Sequence, residues 1–82
     1  MNNKKELMKN IEQIHTTELG IQRIKRNLEL NCEDVVDYCI NILKDENSRV
    51  IKSGKNYYLT LGDEEVTINS SSFTIITAHI KK

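Results

Sequence analysis

Eighty-two residues, 38% apolar, 29% charged and only 5% aromatic, set the scale of one small globule whose core must be built mainly from Ile, Leu and Val. The formal net charge of zero argues against a strong, nonspecific polyanion binder, and no apolar run approaches the roughly 20 residues that cross a bilayer. The start, MNNKKELMKN, has the lysines of a signal peptide without its apolar middle or cleavage site, so a cytoplasmic protein with no membrane attachment is expected.

The neutral total hides segregation. Residues 1–30 carry six Lys/Arg against four Asp/Glu, residues 31–47 one against five, and residues 48–82 five against three. An acidic segment therefore lies between two mildly basic ones. Cys32 and Cys39, seven residues apart on one helix, would stand about 10 Å from each other, too far for a disulfide. They read as buried thiols serving as small apolar residues.

The first half has helical spacing. Leu7, Met8, Ile11 and Ile14 recur at three- and four-residue intervals and predict one apolar stripe. His15 then falls at the helix end, where a cationic imidazole suits the C-terminal dipole. In HTTELG, Thr16 or Thr17 can cap a second helix, with Glu18 in its first turn and Gly20 marking a close helix crossing. Leu19 or Ile21, then Ile24 and Leu28, form its apolar face, flanked by Arg23, Lys25 and Arg26. Asn31 restarts the pattern, and Val35, Val36, Cys39, Ile42 and Leu43 predict a third helix.

After Ser48 the period changes from 3.6 to 2. RVIK, NYYLTL, EVTIN and SFTIITAHI are rich in β-branched and aromatic residues and are separated by SGK, GDE and SSS. Connections this short allow hairpins but not parallel crossovers. The expected fold is α+β: a single domain over 1–82, with three N-terminal helices (about 3–46) packed on one face of a four-stranded antiparallel meander (about 48–80).

Strand parity then decides where His79 points. Val66 and Ile68 face the core against Glu65, Thr67 and Asn69. A three-residue serine loop sets Asn69 opposite Phe73 and Val66 opposite Ile76. Ile76, Ala78 and Ile80 then join the core, and Thr77 and His79 share the open face with Thr67 and Glu65. A two-residue loop flips the register and buries His79. The odd loop is favoured because Ile76–Ala78–Ile80 is apolar throughout, although Phe73 and Ile75 then need cover on the open face. The same parity puts Tyr57, Leu59 and Leu61 inside, with Asn56, Tyr58 and Thr60 outside.

The open face would then present Tyr58, Thr60, Thr67, Thr77 and His79, with Lys52 or Lys55 at its rim and Arg49 on an unassigned side of the first strand. A cation, hydroxyls and an imidazole on one sheet can bind a phosphodiester: the lysine offsets phosphate charge and the imidazole moves the proton of a ribose 2′-hydroxyl. No strict motif spacing underlies this set.

IHTTELGIQRIKRNL together with GKNYYLTL and VTINSSSFTIITAHIKK resembles a domain-of-unknown-function family of small bacterial proteins, mainly of Firmicutes, over nearly the whole chain. That resemblance implies no activity. In architecture, helices followed by a four-stranded antiparallel sheet are similar to the RelE, barnase and colicin D group of ribonuclease toxins. This similarity implies a metal-independent endoribonuclease, with His79 and Thr77 in the active site and Lys55 or Lys52 as the phosphate cation. Fold analogy alone is an associational argument for function.

Each sharp reading has a plainer one beside it. His79 can be a strand-end residue half covered by its neighbours, Thr16 and Thr17 are most simply caps, and Arg23 and Arg26 can be a solvated helix face rather than phosphate contacts. Two His and two Cys at none of the usual ligand spacings give no metal site, and no cofactor is expected. Three functional expectations follow: an RNA-cleaving enzyme, an RNA-binding module without cleavage, and a protein-binding or inhibitor module whose partner meets the acidic helix 31–46 or the open sheet.

Overall fold

The computed structural model describes residues 3–28 and 34–80. Helix α1 (Asn3–Lys9) runs into a 3₁₀ turn (Ile11–Gln13), and α2 (Glu18–Leu28) and α3 (Val35–Lys44) follow. Strands β1 (Arg49–Ser53), β2 (Asn56–Leu61), β3 (Glu64–Asn69) and β4 (Ile75–Ile80) form one antiparallel sheet in the order β1-β2-β3-β4. The expected α+β meander is the fold observed. Its core lies between the helices and one sheet face: Leu7, Ile24, Leu28, Val35, Cys39, Ile42 and Leu43 meet Tyr57, Leu59, Val66, Ile68, Ile75 and Ala78. Each fully buried Leu or Ile contributes about 1.5–3 kcal/mol.

The first apolar stripe is broken. Leu7 and Ile14 are buried, but α1 stops at Lys9 and Met8 is exposed. His15 is therefore well past the end of α1, and sits just after the 3₁₀ turn, whose last carbonyl, that of Gln13, its ring meets. It lies in extended backbone and bridges in parallel to Thr74: its N–H donates to the Phe73 carbonyl, and its own carbonyl accepts from Ile75 N–H. The expected helix-end position is thus moved from α1 to the 3₁₀ turn, and a main-chain clamp on the start of β4 is added to it. Thr16 adds to the clamp, donating its hydroxyl to the Ile75 carbonyl at 2.9 Å.

Thr17 is the cap of α2, its Oγ1 accepting from Gly20 N–H at 3.1 Å. Gly20 is required by Thr16 rather than by a helix crossing, since a Cβ there would lie 2.1 Å from Thr16 Oγ1. Ile24 and Leu28 are buried as expected, and Ile21, not Leu19, completes their face. Asn31, the expected start of the third helix, and Cys32 lie outside the described residues. Asp34 caps α3, accepting from Asp37 N–H at 2.9 Å.

The first two hairpins turn on Gly54 and Gly62, both at positive φ, while Lys55 and Asp63 are not. Positive φ at the first central residue alone is the pattern of the two-residue type II′ turn, and it aligns Ser53 with Asn56 and Leu61 with Glu64. The third connection differs. Asn69 N–H donates to Thr74 C=O and Phe73 N–H to Asn69 C=O, which closes a four-residue loop. Asn69 Oδ1 collects Ser71 N–H, Ser72 N–H and the Ser72 hydroxyl inside it. Phe73 takes φ +58, an unfavourable left-handed conformation for a bulky residue, and its ring stacks on Tyr57 with centroids 6.5 Å apart.

An even loop by itself would turn His79 inward. The register then shifts between Thr67 and Ile68: Ile68 pairs with Ile75 but Thr67 pairs with Thr77, so Ile76 is an extra, unpaired residue. This bulge restores the expected parity. Glu65 lies opposite His79 and Val66 opposite Ala78, two residues out of the register expected from an odd loop. Ile75 rather than Ile76 enters the core, and Ile76 is 39% exposed. That removes the conflict over Phe73 and Ile75, which are both covered.

Lys4 ties the helices to the sheet by donating to the carbonyls of Asp45 and Ser48 at 2.6 and 3.1 Å. Tyr57 donates to Glu6 Oε1 at 2.7 Å. Burial, then the hydrogen bond to Glu6 and the Glu6 charge, push the Tyr57 phenol up to about 12 from its usual 10.0. The fold thus holds the neutral phenol more tightly than the unfolded chain does. That stabilisation is complete below pH 10 and is lost as pH rises from 10 to about 12. Chemical denaturation across this range should show the decline in the wild type and a weaker one in Tyr57→Phe.

A double-mutant cycle checks the Thr16–Gly20 contact. Gly20→Ala alone should cost about 1 kcal/mol, because the displaced Thr16 hydroxyl loses its partner faster than alanine's helix propensity compensates. On a Thr16→Ala background the same change should be neutral or stabilising. Additive costs would show that the close approach is not what Gly20 serves.

Candidate functional site

The sheet face turned away from the helices is organised in cross-strand rows. Arg49 pairs with Thr60, Thr60 with Glu65, and Glu65 with His79, so one residue from each strand forms a continuous row. The next row is Ile51, Tyr58, Thr67 and Thr77, and beyond it stand Ser53, Asn56 and Asn69. Directly opposed residues share a face, and rows on one face are about 7 Å apart along the strands.

Nε2 of His79 lies 3.4 Å from Oε1 of Glu65, and the pair becomes an ion pair when the imidazole is protonated. The imidazole is 44% exposed, whereas the carboxylate is only 16% exposed. Glu65 also lines a shallow depression of about 530 Å³ with Arg49, Ile51, Ser53, Tyr58 and Thr60. His79 does not line it, and is the next residue in the row after Glu65. Arg49 is two strands away from Glu65, about 10 Å between backbones, which leaves room for an anion over Thr60. Thr67 is buried between Tyr58 and Thr77, and Asn27 of α2 donates to Thr77 Oγ1 at 3.5 Å.

The candidates read from the sequence separate into two groups. Tyr58, Thr60, Thr67, Thr77 and His79 share the open face. Lys52 does not: it pairs with Tyr57 on the helix-covered face, and its ammonium lies over the Tyr57 ring, 5.9 Å from the centroid. Lys55 is in the β1–β2 turn, at the end of the sheet far from His79, where its carbonyl accepts from Ser70 N–H. Arg23 and Arg26 are exposed on α2 and line no part of the depression. Arg49 takes the place expected of a lysine. The signal for it was present, since a two-residue turn at Gly54-Lys55 aligns Arg49 with Thr60. Glu65 was on the expected face, but its pairing with His79 depends on the bulge.

His15 belongs to a separate chain at the other end of β4. Its Nδ1 lies 2.8 Å from the Gln13 carbonyl, which can only accept and so fixes the Nδ1–H tautomer. Its Nε2 meets Thr74 Oγ1 at 3.0 Å, and Thr74 meets Ser72 Oγ at 2.8 Å. Of the acidic helix, Asp34 is occupied as the cap of α3, and Glu33 lies outside the described residues. Among the described residues no three His, Cys, Asp or Glu side chains gather to hold a metal ion, and no helix is long and apolar enough to cross a membrane.

Comparison with known proteins found no match among curated proteins and none among solved structures. The likeness to toxin ribonucleases therefore has no solved fold behind it. One family model does match, over residues 8–79, a span that takes in both the HTTELG and the TIITAH segments. The chain belongs to that family, DUF3781, described as proteins of unknown function.

Proposed function

We propose that the open sheet face binds the phosphodiester backbone of RNA and cleaves it by metal-independent acid–base chemistry. The observation that carries this reading is the row Arg49–Thr60–Glu65–His79: Arg49 and Glu65 line opposite sides of a shallow depression, and the His79 imidazole stands next to Glu65. Glu65 Oε1 lies 3.4 Å from Nε2, within reach to pair with the imidazolium once His79 has accepted a proton.

In this mechanism neutral His79 takes the proton of the ribose 2′-hydroxyl as O2′ bonds to phosphorus. The guanidinium of Arg49 offsets the charge that grows on the phosphoryl oxygens. The P–O5′ bond then breaks and the His79 imidazolium returns the proton to O5′, leaving a 2′,3′-cyclic phosphate and a 5′-hydroxyl. Thr77 supplies a hydroxyl in the row next to the imidazole, and Tyr58 offers a ring on which a base can stack.

The test is incubation of purified protein with RNA and with an oligonucleotide carrying a single 2′-deoxy substitution at the cleaved position. The expected products end in 2′,3′-cyclic phosphate, and the 2′-deoxy position should be inert. His79→Ala should lower kcat by about 10²–10⁴, and Glu65→Gln should lower it less. Lys52→Ala, on the other face, should stay within about twofold of wild type. Activity that survives His79→Ala sinks the mechanism. Salt-dependent RNA affinity without product would leave only a binding surface.

A further inference from the structure

The two edges of the sheet are finished differently. At β4, His15 and Thr16 take up main-chain groups of Phe73 and Ile75, and α2 packs along the strand. At β1, four of five residues are exposed, and Ile51 is 60% exposed, a large apolar side chain on an outer strand. The type II′ turn makes Ser53 and Asn56 a hydrogen-bonded pair, so alternation directs the main chain of Ile51 and Arg49 toward β2. The N–H and C=O of Val50 and Lys52 point outward. Among the described residues no hydrogen bond reaches them. α1 also packs against β1, but leaves these main-chain groups without partners, and an edge of this kind is a template for a further strand.

We infer that β1 pairs antiparallel with β1 of a second copy, on a two-fold axis through Ile51, giving a continuous eight-stranded sheet. Register selects this arrangement. Centred on Ile51, all five residues pair: Arg49 faces the partner's Ser53, Val50 faces the partner's Lys52, and Ile51 faces its own copy. The outward groups of Val50 and Lys52 then make four main-chain hydrogen bonds. No like charges oppose each other. Sliding by two residues either way leaves only three pairs within the strand, and one of those slides sets Lys52 against Lys52. Ile51 falls at a non-hydrogen-bonded position, where opposed Cα atoms are about 4.5 Å apart and the two side chains cover each other. Lys52, whose charge could guard the edge, is turned over the Tyr57 ring on the helix side.

The pairing would also change the site. Arg49, Ile51 and Ser53 form the outer wall of the depression, and the partner's Arg49 would stand beside Ser53. Each depression gains a second guanidinium, about 13 Å along the strand from its own, so the joined face spans more than one phosphate of an extended chain. That consequence rests on the phosphodiester reading, whereas the dimer does not.

Cysteine cross-linking in the full chain, on a Cys32→Ser background, reads the register. Ile51→Cys should give a covalent dimer under mild oxidation, at least about tenfold faster than Ser53→Cys alone. An equimolar mixture of Arg49→Cys and Ser53→Cys should form the mixed dimer. Light scattering should show dimer growing with concentration up to about 500 µM, and Ile51→Lys should remain monomeric with an unchanged circular dichroism spectrum. A monomer throughout that range overturns the inference, as does cross-linking of Ser53→Cys as fast as Ile51→Cys.

Discussion

Everything on the open face depends on how β4 is registered on β3. Two opposite shifts set that register: a four-residue loop held together by Asn69, and one unpaired residue, Ile76, a few positions later. The loop alone would carry Thr77 and His79 into the core, and the bulge returns them to the open side. The clamp from His15 and Thr16 onto the main chain of Phe73 and Ile75 holds the segment where both shifts occur. Gly20 leaves space for the Thr16 hydroxyl, which links the start of α2 to the same point.

This arrangement explains how a chain of zero net charge can carry a locally charged sheet face. The core face of the sheet takes its apolar residues from every strand, and Tyr57 reaches through to Glu6 on the helices. The opposite face is left with hydroxyls, an aromatic ring, the exposed Ile51 and three ionisable groups in one row. Glu65 is held largely out of water beside a more exposed imidazole, so its negative charge acts at short range on His79. Arg49, at the outer strand, brings the compensating cation from the other side of the depression.

Much of this was legible in the residues. The change of period at Ser48, the turn glycines and the alternation in NYYLTL and EVTIN lead directly to the observed strands and their faces. The broken first helix was not legible, because Leu7, Ile11 and Ile14 keep helical spacing although His15 finds better main-chain partners in β4. The exposure of Ile76 was hidden for a related reason. Alternation cannot reveal a bulge, since one extra residue lets both Ile75 and Ala78 face inward. Lys52 misled because only the hairpin register, not residue type, decides that the open-face cation is Arg49.

We propose that Arg49, Glu65 and His79 act together as one anion-handling site on the open sheet face. Nuclear magnetic resonance titration of the protein with a non-cleavable 2′-deoxy dinucleotide tests it most directly. Signals from Arg49, Tyr58, Thr60, Glu65 and the His79 ring should be perturbed, with Arg23, Arg26 and Lys52 unmoved. Perturbations confined to α2, or none in the His79 ring at saturation, would contradict it.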